Sequence, residues 1–342
     1  MRCHHGRVRR TLLVVVVGAL IALTPASPAA AHSVAGMGAT NYLARLRSVE
    51  PVVSGVEIRV VEHGNRIQLT NTSGEDVIVL GYQDEPYLRV GPDGVFENVR
   101  SPATYVNRER SATADIPASA DADASPEWRR VSDGRTARWH DHRLHHMGAA
   151  DSQAARDWTV TMRHGDTTIR ATGDLVWVPG PSGAPWLVGA ALLAAATAAM
   201  ALTGAWAPTL AAITAVLVAI DIANVAGTAA FASGSFIAAV GDTLGGSVLS
   251  ILGWAAGVAA VWLLTRRRPE GLFAAGVAGV SIAVNGGLAD LSVLDRSQLP
   301  FAWPEVLARA AVAGAIGLGL GLVAAAFIGV ARLPVTLGAN DP

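Results

Sequence analysis

The sequence predicts an all-β sandwich domain followed by an α-helical transmembrane bundle of about five helices. Of the 342 residues, 51% are hydrophobic and only 15% are charged, whereas soluble domains average about 25% charged residues. The charges are also unevenly placed. Residues 32–183 carry 16 Arg and 20 acidic residues, and residues 184–342 carry 6 and 7. The first part therefore resembles a water-soluble domain, and the second a membrane domain.

The N-terminus predicts an export signal over residues 1–31. A basic stretch, MRCHHGRVRR, precedes an apolar run of about a dozen residues and a small-residue segment in which Ala29 and Ala31 form a cleavage site. Cleavage there would remove Cys3 and make His32 the first residue of the mature chain. An uncleaved signal anchor is the alternative.

Residues 32–178 contain short β-rich runs separated by turn signals such as GPDG. Strands of this length and spacing predict an antiparallel sandwich. Residues 111–126 are small and polar, which predicts a flexible loop, and residues 179–185 form a Pro- and Gly-rich linker. The predicted strands are VEIRVVE (56–62), RIQLTN (66–71), DVIVLGY (76–82), YLRVG (87–91), GVFENV (94–99), RTARWHD (135–141), DWTVTMR (157–163), TTIRA (167–171) and DLVWV (174–178).

Residues 186–331 form the predicted transmembrane helical domain, and residues 332–342 a cytoplasmic tail. Apolar runs long enough to span a bilayer occur at about 184–204, 208–230, 239–265, 270–291 and 305–331. The three arginines at 266–268 lie between the third and fourth runs, and basic loops favour the cytoplasm. The sequence thus predicts a multi-pass plasma-membrane protein with an extracytoplasmic N-terminal domain.

Polar side chains interrupt the apolar runs at Asp221, Asn224, Asp242, Asn285 and Asp290. Intramembrane carboxylates are candidate functional groups. The alternative is structural: Asp221 would be bonded to Asn224, and the other two carboxylates would cap helix ends.

The net charge of −1 argues against a nucleic-acid partner, because such domains are strongly basic. The expected partner is the lipid bilayer. Every basic residue is arginine, which excludes chemistry that depends on a lysine amine.

A histidine cluster, His140, His142, His145 and His146, is the candidate metal site, with Met147 beside it. Residues i and i+2 of a strand point the same way, so His140 and His142 suit one ion, and a turn after residue 143 would bring up the rest. Imidazole suits copper, zinc and nickel, and a thioether favours Cu(I). Copper is therefore the expected cofactor and zinc the second choice.

Two further residues extend this hypothesis. His32 offers an α-amine and a ring nitrogen if it is the mature N-terminus, and Asp141 is placed to orient a ligand histidine from behind. The alternative is a solvated strand edge in which Arg138 and Arg143 pair with Asp133 and Asp141.

The segment 85–107 contains Tyr87 and Tyr105 among several arginines, Arg89, Arg100 and the following Arg108. These side chains either line a groove for a partner or complete the surface of the sandwich.

Together, the signal peptide, EPYLRVGPDGVFENVRSPATYVN (85–107), WHDHRLHHMG (139–148) and the five-helix tail resemble a group of uncharacterised actinobacterial exported membrane proteins. That resemblance implies an association with extracytoplasmic copper proteins of the CopC and YcnI types. In CopC-type proteins an N-terminal histidine binds Cu(II) on a β-sandwich, and His32 matches that feature.

The leading hypothesis is a membrane-anchored copper-binding protein, acting in copper capture, delivery or homeostasis, and not an enzyme. The first alternative is an envelope structural or interaction protein whose ectodomain docks another protein. The second is a metal-dependent hydrolase, which would need an open coordination position and a nearby base.

Overall fold

A computed structural model describes residues 38–108, 114–146, 155–231, 241 and 248–332. The chain divides into two compact units. Thr40–Gly180 forms one, and the helices that follow Pro181 belong to the other. The predicted signal peptide, His32, Met147, Asp242 and nearly all of the predicted tail lie outside the described residues.

The first unit is a β domain with ten strands and one short helix within the described residues. The strands are β1 Tyr42–Glu50, β2 Val56–Val61, β3 Arg66–Asn71, β4 Val77–Leu80, β5 Pro86–Gly91, β6 Gly94–Asn98, β7 Trp128–Ser132, β8 Thr136–Trp139, β9 Arg156–His164 and β10 Thr167–Trp177. Helix α1, Pro102–Val106, follows β6.

The strands form two antiparallel sheets. The larger has the order β1-β10-β9-β4-β5-β6-β7, and the smaller has the order β2-β3-β8. One apolar cluster joins them. It contains Ile67 and Leu69 from β3 and Val79, Val90 and Val160 from the larger sheet, all fully buried. The predicted sandwich is confirmed.

Most predicted strands differ from the observed ones by a few residues at their ends, and four elements differ by more than that. The runs at 167–171 and 174–178 are a single strand, β10, which passes through Gly173. A side chain there would collide, since a Cβ would lie 2.0 Å from the carbonyl oxygen of Arg45 and 2.2 Å from the Trp158 ring. Glycine here permits close approach rather than a turn. Strands β1 and β7 and helix α1 were not predicted; β7 is almost wholly exposed and lacks an alternating pattern.

The second unit contains five long helices within the described residues. They are α2 Ala184–Met200, α3 Trp206–Phe231, α4 Val248–Thr265, α5 Glu270–Ile282 and α6 Glu305–Arg332. Helix α5 continues into a π-helical turn, Ala283–Leu288, and a 3-10 turn, Leu291–Leu294, follows.

Four helical segments are long and apolar enough to cross a membrane: α3, α4, α6, and α5 with its π-helical turn. Helix α2 is apolar but shorter, at 17 residues. The chain is therefore a membrane protein, as the sequence predicts.

Neighbouring helices come into backbone contact at glycines. A Cβ at Gly279 of α5 would lie 2.5 Å from the carbonyl oxygen of Gly319 in α6, and one at Gly317 would lie 2.7 Å from that of Ala190 in α2. Small residues let membrane helices approach to backbone contact. The resulting van der Waals packing favours association of helices in a bilayer, where the hydrophobic effect does not drive it.

Candidate functional site

The histidine cluster lies at the end of β8, where the chain leaves the smaller sheet. Strand β8 ends at Trp139, and residues His142–Leu144 form a 3-10 turn. Leu144 anchors the turn because its side chain is buried in the core of the sandwich. The turn sends the histidines on either side of it to the same place.

A buried ion pair fixes this turn. Arg143 donates to both carboxylate oxygens of Asp141, from Nε over 2.8 Å and from Nη2 over 2.7 Å, and the indole of Trp139 donates to Oδ2 over 2.9 Å. The Asp141 side chain is 0% exposed. Burial alone would raise the pKa of Asp141, but the hydrogen bonds and the charge of Arg143 outweigh it and lower the pKa. The carboxylate is therefore charged at neutral pH.

Three imidazole rings meet beside this pair. The rings of His140 and His145 stack with centroids 4.1 Å apart, and the ring of His142 stands edge-on to His140 at 5.1 Å. The turn brings the rings of His142 and His145 to that of His140, although it begins at residue 142 rather than after 143.

One backbone carbonyl orients two of these rings. The oxygen of Asn65 lies 3.1 Å from Nδ1 of His140 and 3.3 Å from Nε2 of His145. A carbonyl can only accept, so both nitrogens must carry the proton. In the neutral rings, the lone pairs then belong to Nε2 of His140 and Nδ1 of His145.

The loop between β2 and β3 positions that carbonyl. Glu62 and His63 both adopt positive φ angles, 55° and 52°, a conformation uncommon outside glycine. The Asn65 side chain donates back to the Glu62 carbonyl over 2.9 Å, which closes the turn.

The other predicted metal ligands do not join the three rings in the described chain. The ring of His146 stacks on Tyr42, with centroids 4.5 Å apart and planes 9° apart. His32 and Met147 lie outside the described residues. His164 is remote in the chain, and its Nε2 bonds with Ser73 Oγ at 2.9 Å.

Asp141 has a different role from the one expected. Its described hydrogen bonds go to Arg143 and Trp139 and not to a histidine ring. The Arg143–Asp141 pair follows the alternative that the sequence left open. The companion pair does not form: Arg138 donates to Gln68, and Asp133 pairs with Arg130.

Sequence reasoning missed Tyr82 and Asn65. The Tyr82 hydroxyl accepts from the backbone N–H of His142 over 3.0 Å and donates to Oδ1 of Asn107. Burial raises the pKa of Tyr82, so the hydroxyl keeps its proton. The turn signals in EHGN predicted the loop that holds Asn65, but not the direction of its carbonyl.

Of the polar residues that interrupt the apolar runs, Asp221 is buried in the helical unit, and Asn224, Asn285 and Asp290 are half-buried. Asp221 is 1% exposed, and its Oδ2 accepts from Trp254 of α4 over 2.7 Å, rather than from Asn224. Asn285, in the π-helical turn, donates to Ser250 over 2.8 Å. Asp290 occupies the position before the 3-10 turn but makes no capping bond through its side chain.

Within the described ranges, no three His, Cys, Asp or Glu side chains already surround a common point as ligands of a metal ion. Comparisons with protein families, curated proteins and solved structures give no match to this chain.

Proposed function

We propose that this membrane protein binds Cu(II) on its β domain, outside the cytoplasm, through His140, His142 and His145. The observation that carries the proposal is the shared hydrogen bond to Asn65. Metal-binding histidines almost always donate their other ring N–H to a carbonyl or carboxylate, which fixes the tautomer. Here one carbonyl does this for two rings.

Copper follows from the donor set. Three imidazoles without a thiolate suit Cu(II), Ni(II) and Zn(II), and Cu(II) binds most tightly of the divalent first-row ions. The neighbouring carboxylate is occupied by Arg143, which leaves nitrogen as the donor. Ligation by all three requires the stacked rings to turn towards a common ion.

The position of the basic residues in the helical unit supports a β domain outside the cytoplasm. The arginines at 266–268 cluster at one end, where Arg266 lies over the ring of Trp262 at 4.3 Å. Arg332 lies at the same end, since Leu272 near the start of α5 approaches Gly329 near the end of α6. By the positive-inside rule this end is cytoplasmic.

The start of α2 lies at the opposite end of the helical unit. A Cβ at Gly183, just before α2, would lie 3.4 Å from Leu294, which belongs to the turn between α5 and α6. Helix α2, which follows the β domain in the chain, therefore begins at the end away from the arginine cluster.

The test is Cu(II) binding to the full chain in lipid nanodiscs, followed by electron paramagnetic resonance and competition with a chelator. We expect one Cu(II) with nitrogen ligands. His145→Gln should weaken Cu(II) binding at least about tenfold, because even the loss of a group that only orients a metal ligand costs about that much affinity. His164→Gln should leave the affinity unchanged.

Two results would overturn the proposal. One is the absence of Cu(II) binding above that of empty nanodiscs, which would favour a docking role for the domain. The other is equal weakening by His145→Gln and His164→Gln, which would show that copper does not use the cluster. A separate His32→Ala variant reports whether the imidazole of His32 contributes.

A further inference from the structure

The turn between α4 and α5 presents three consecutive arginines, residues 266–268. The backbone N–H of Arg267 donates to the carbonyl of Leu264 over 2.9 Å. The N–H of Arg268 donates to the carbonyl of Leu263, also over 2.9 Å. These two bonds end the helix with Arg267 at a φ of 55°, in the position that glycine usually occupies. The turn therefore carries a charged side chain where the backbone favours glycine.

The two helices meet closely at this turn. A Cβ at Gly271 would lie 2.9 Å from the backbone nitrogen of Leu264, so α4 and α5 are in backbone contact. Pro269 occupies the position before α5, where its ring fixes the φ angle. The arginines therefore project from a backbone with little conformational freedom.

Two of the three guanidinium groups lie over one indole ring. Arg266 and Arg268 lie over Trp262, 4.3 Å and 5.8 Å from the ring centroid. The face of an aromatic ring attracts a guanidinium through a cation–π interaction, which holds the two charges beside the same ring. In the described part of the chain, no carboxylate forms an ion pair with arginines 266–268. Their charge is therefore available to an external anion.

The charge balance at this end of the helical unit is positive. Its described residues carry four arginines, 266–268 and Arg332, against one acidic residue, Glu270. Arg332 already donates to the carbonyl of Ala201 over 3.3 Å. An anion is therefore expected to bind at the turn itself, beside Trp262.

An exposed apolar strip of α4 leads to these charges. Trp262 is 48% exposed, and Val258, one turn earlier on the same face, is 68% exposed. Ile251 extends the strip and is also exposed. Because α4 is long and apolar enough to cross a membrane, this strip suits acyl chains. A phospholipid joins a charged headgroup to acyl chains and matches both parts, whereas a free phosphate would leave the strip unused.

We propose that Arg266, Arg268 and Trp262 form a binding site for an anionic phospholipid. The phosphodiester accepts charge-assisted hydrogen bonds from the two guanidinium groups, and an acyl chain follows Val258 along α4. Tryptophan is enriched at the headgroup level of membrane proteins, and basic clusters beside transmembrane helices bind anionic headgroups. The positive charge balance disfavours the ammonium group of a zwitterionic lipid. The proposal does not depend on copper binding.

The test compares phosphatidylglycerol with phosphatidylcholine of the same acyl chains. Each lipid is added to the full chain in a neutral detergent, and bound lipids are counted by native mass spectrometry. We expect the first phosphatidylglycerol to bind at least about fivefold more tightly, since each arginine near a headgroup contributes about that factor. Soluble glycerol phosphate should not displace it, because it lacks the acyl chains.

Arg266→Gln and Arg268→Gln should each weaken phosphatidylglycerol binding about fivefold and leave phosphatidylcholine binding unchanged. Arg296→Gln is the matched control. It removes the same charge, but Arg296 lies between the 3-10 turn and α6, beside Asp295, at the other end of the helical unit. Equal binding of the two lipids, or equal effects of Arg266→Gln and Arg296→Gln, would overturn the proposal. Displacement by glycerol phosphate would overturn it as well, because the site would then recognise phosphate alone.

Discussion

Asp141 and Arg143 form a buried ion pair. Replacing Arg143 should lower the free energy of unfolding of the β domain more than replacing Asp141. Removing one partner of a buried pair costs about 3–5 kcal/mol, because the remaining charge is stranded. Arg143→Gln strands a carboxylate that is 0% exposed, so its cost should lie near the upper value. Asp141→Asn strands a guanidinium that is 19% exposed and still contacts the Leu80 carbonyl, so its cost should lie near about 3 kcal/mol.

Amide hydrogen exchange of β3 and β9 in the full chain measures the free energy of unfolding of the β domain for both single variants and the double variant. The double variant should lose clearly less than the sum of the singles, with a coupling of at least about 2 kcal/mol. The pair of Arg130 with Asp133 is the control, since both side chains are mostly exposed and their coupling should stay below about 1 kcal/mol. Equal coupling in the two pairs would refute the reasoning.

Three other predictions follow from the same structure. Because the folded state lowers the pKa of Asp141, its stabilisation is complete above the unfolded value of about 3.9 and is lost as the pH falls through the folded value. The stability gap between wild type and Asp141→Asn should therefore shrink in acid, and a constant gap from pH 7 to strong acid would contradict this. Gly173→Ala should destabilise the β domain by about 3 kcal/mol or more, through overpacking, whereas Gly134→Ala, whose nearest contact is 3.4 Å away, should cost under about 0.5 kcal/mol; exchange protection of β10 measures both. Gly279→Val should lower the midpoint of detergent-induced unfolding of the helices, while Gly189→Val, with open space around it, should not.

The sequence predicts a strand best where buried and less buried positions alternate along the chain. Strand β3 has alternating buried positions and was assigned with its observed ends. Strand β7 is paired only at the sheet edge and is exposed along most of its length, so no alternation marked it. At Gly173 the same residue type that marks turns serves instead to admit a neighbouring carbonyl, and only the tertiary contact distinguishes the two uses.

The candidate site was predictable in part for a similar reason. Four histidines within seven residues of sequence drew attention to the correct segment, and a turn was expected within it. The direction of a backbone carbonyl at Asn65, about 75 residues earlier in the chain, leaves no trace in residue type. The local spacing predicts that Asp141 orients a histidine ring. In the structure its buried carboxylate pairs with Arg143 instead.

The ion pair between Asp141 and Arg143 also determines how much conformational entropy the histidine segment would lose on binding a ligand. A loop that becomes ordered only on binding gives up part of its interaction energy to restrict its own backbone. Here Asp141, Arg143 and the buried Leu144 hold the turn through contacts that involve no ligand. An ion that binds as proposed therefore needs only to reorient side-chain rings. Affinity at such a site depends on ring rotation and proton release rather than on folding of the segment, and exchange protection around the turn should be the same with and without metal.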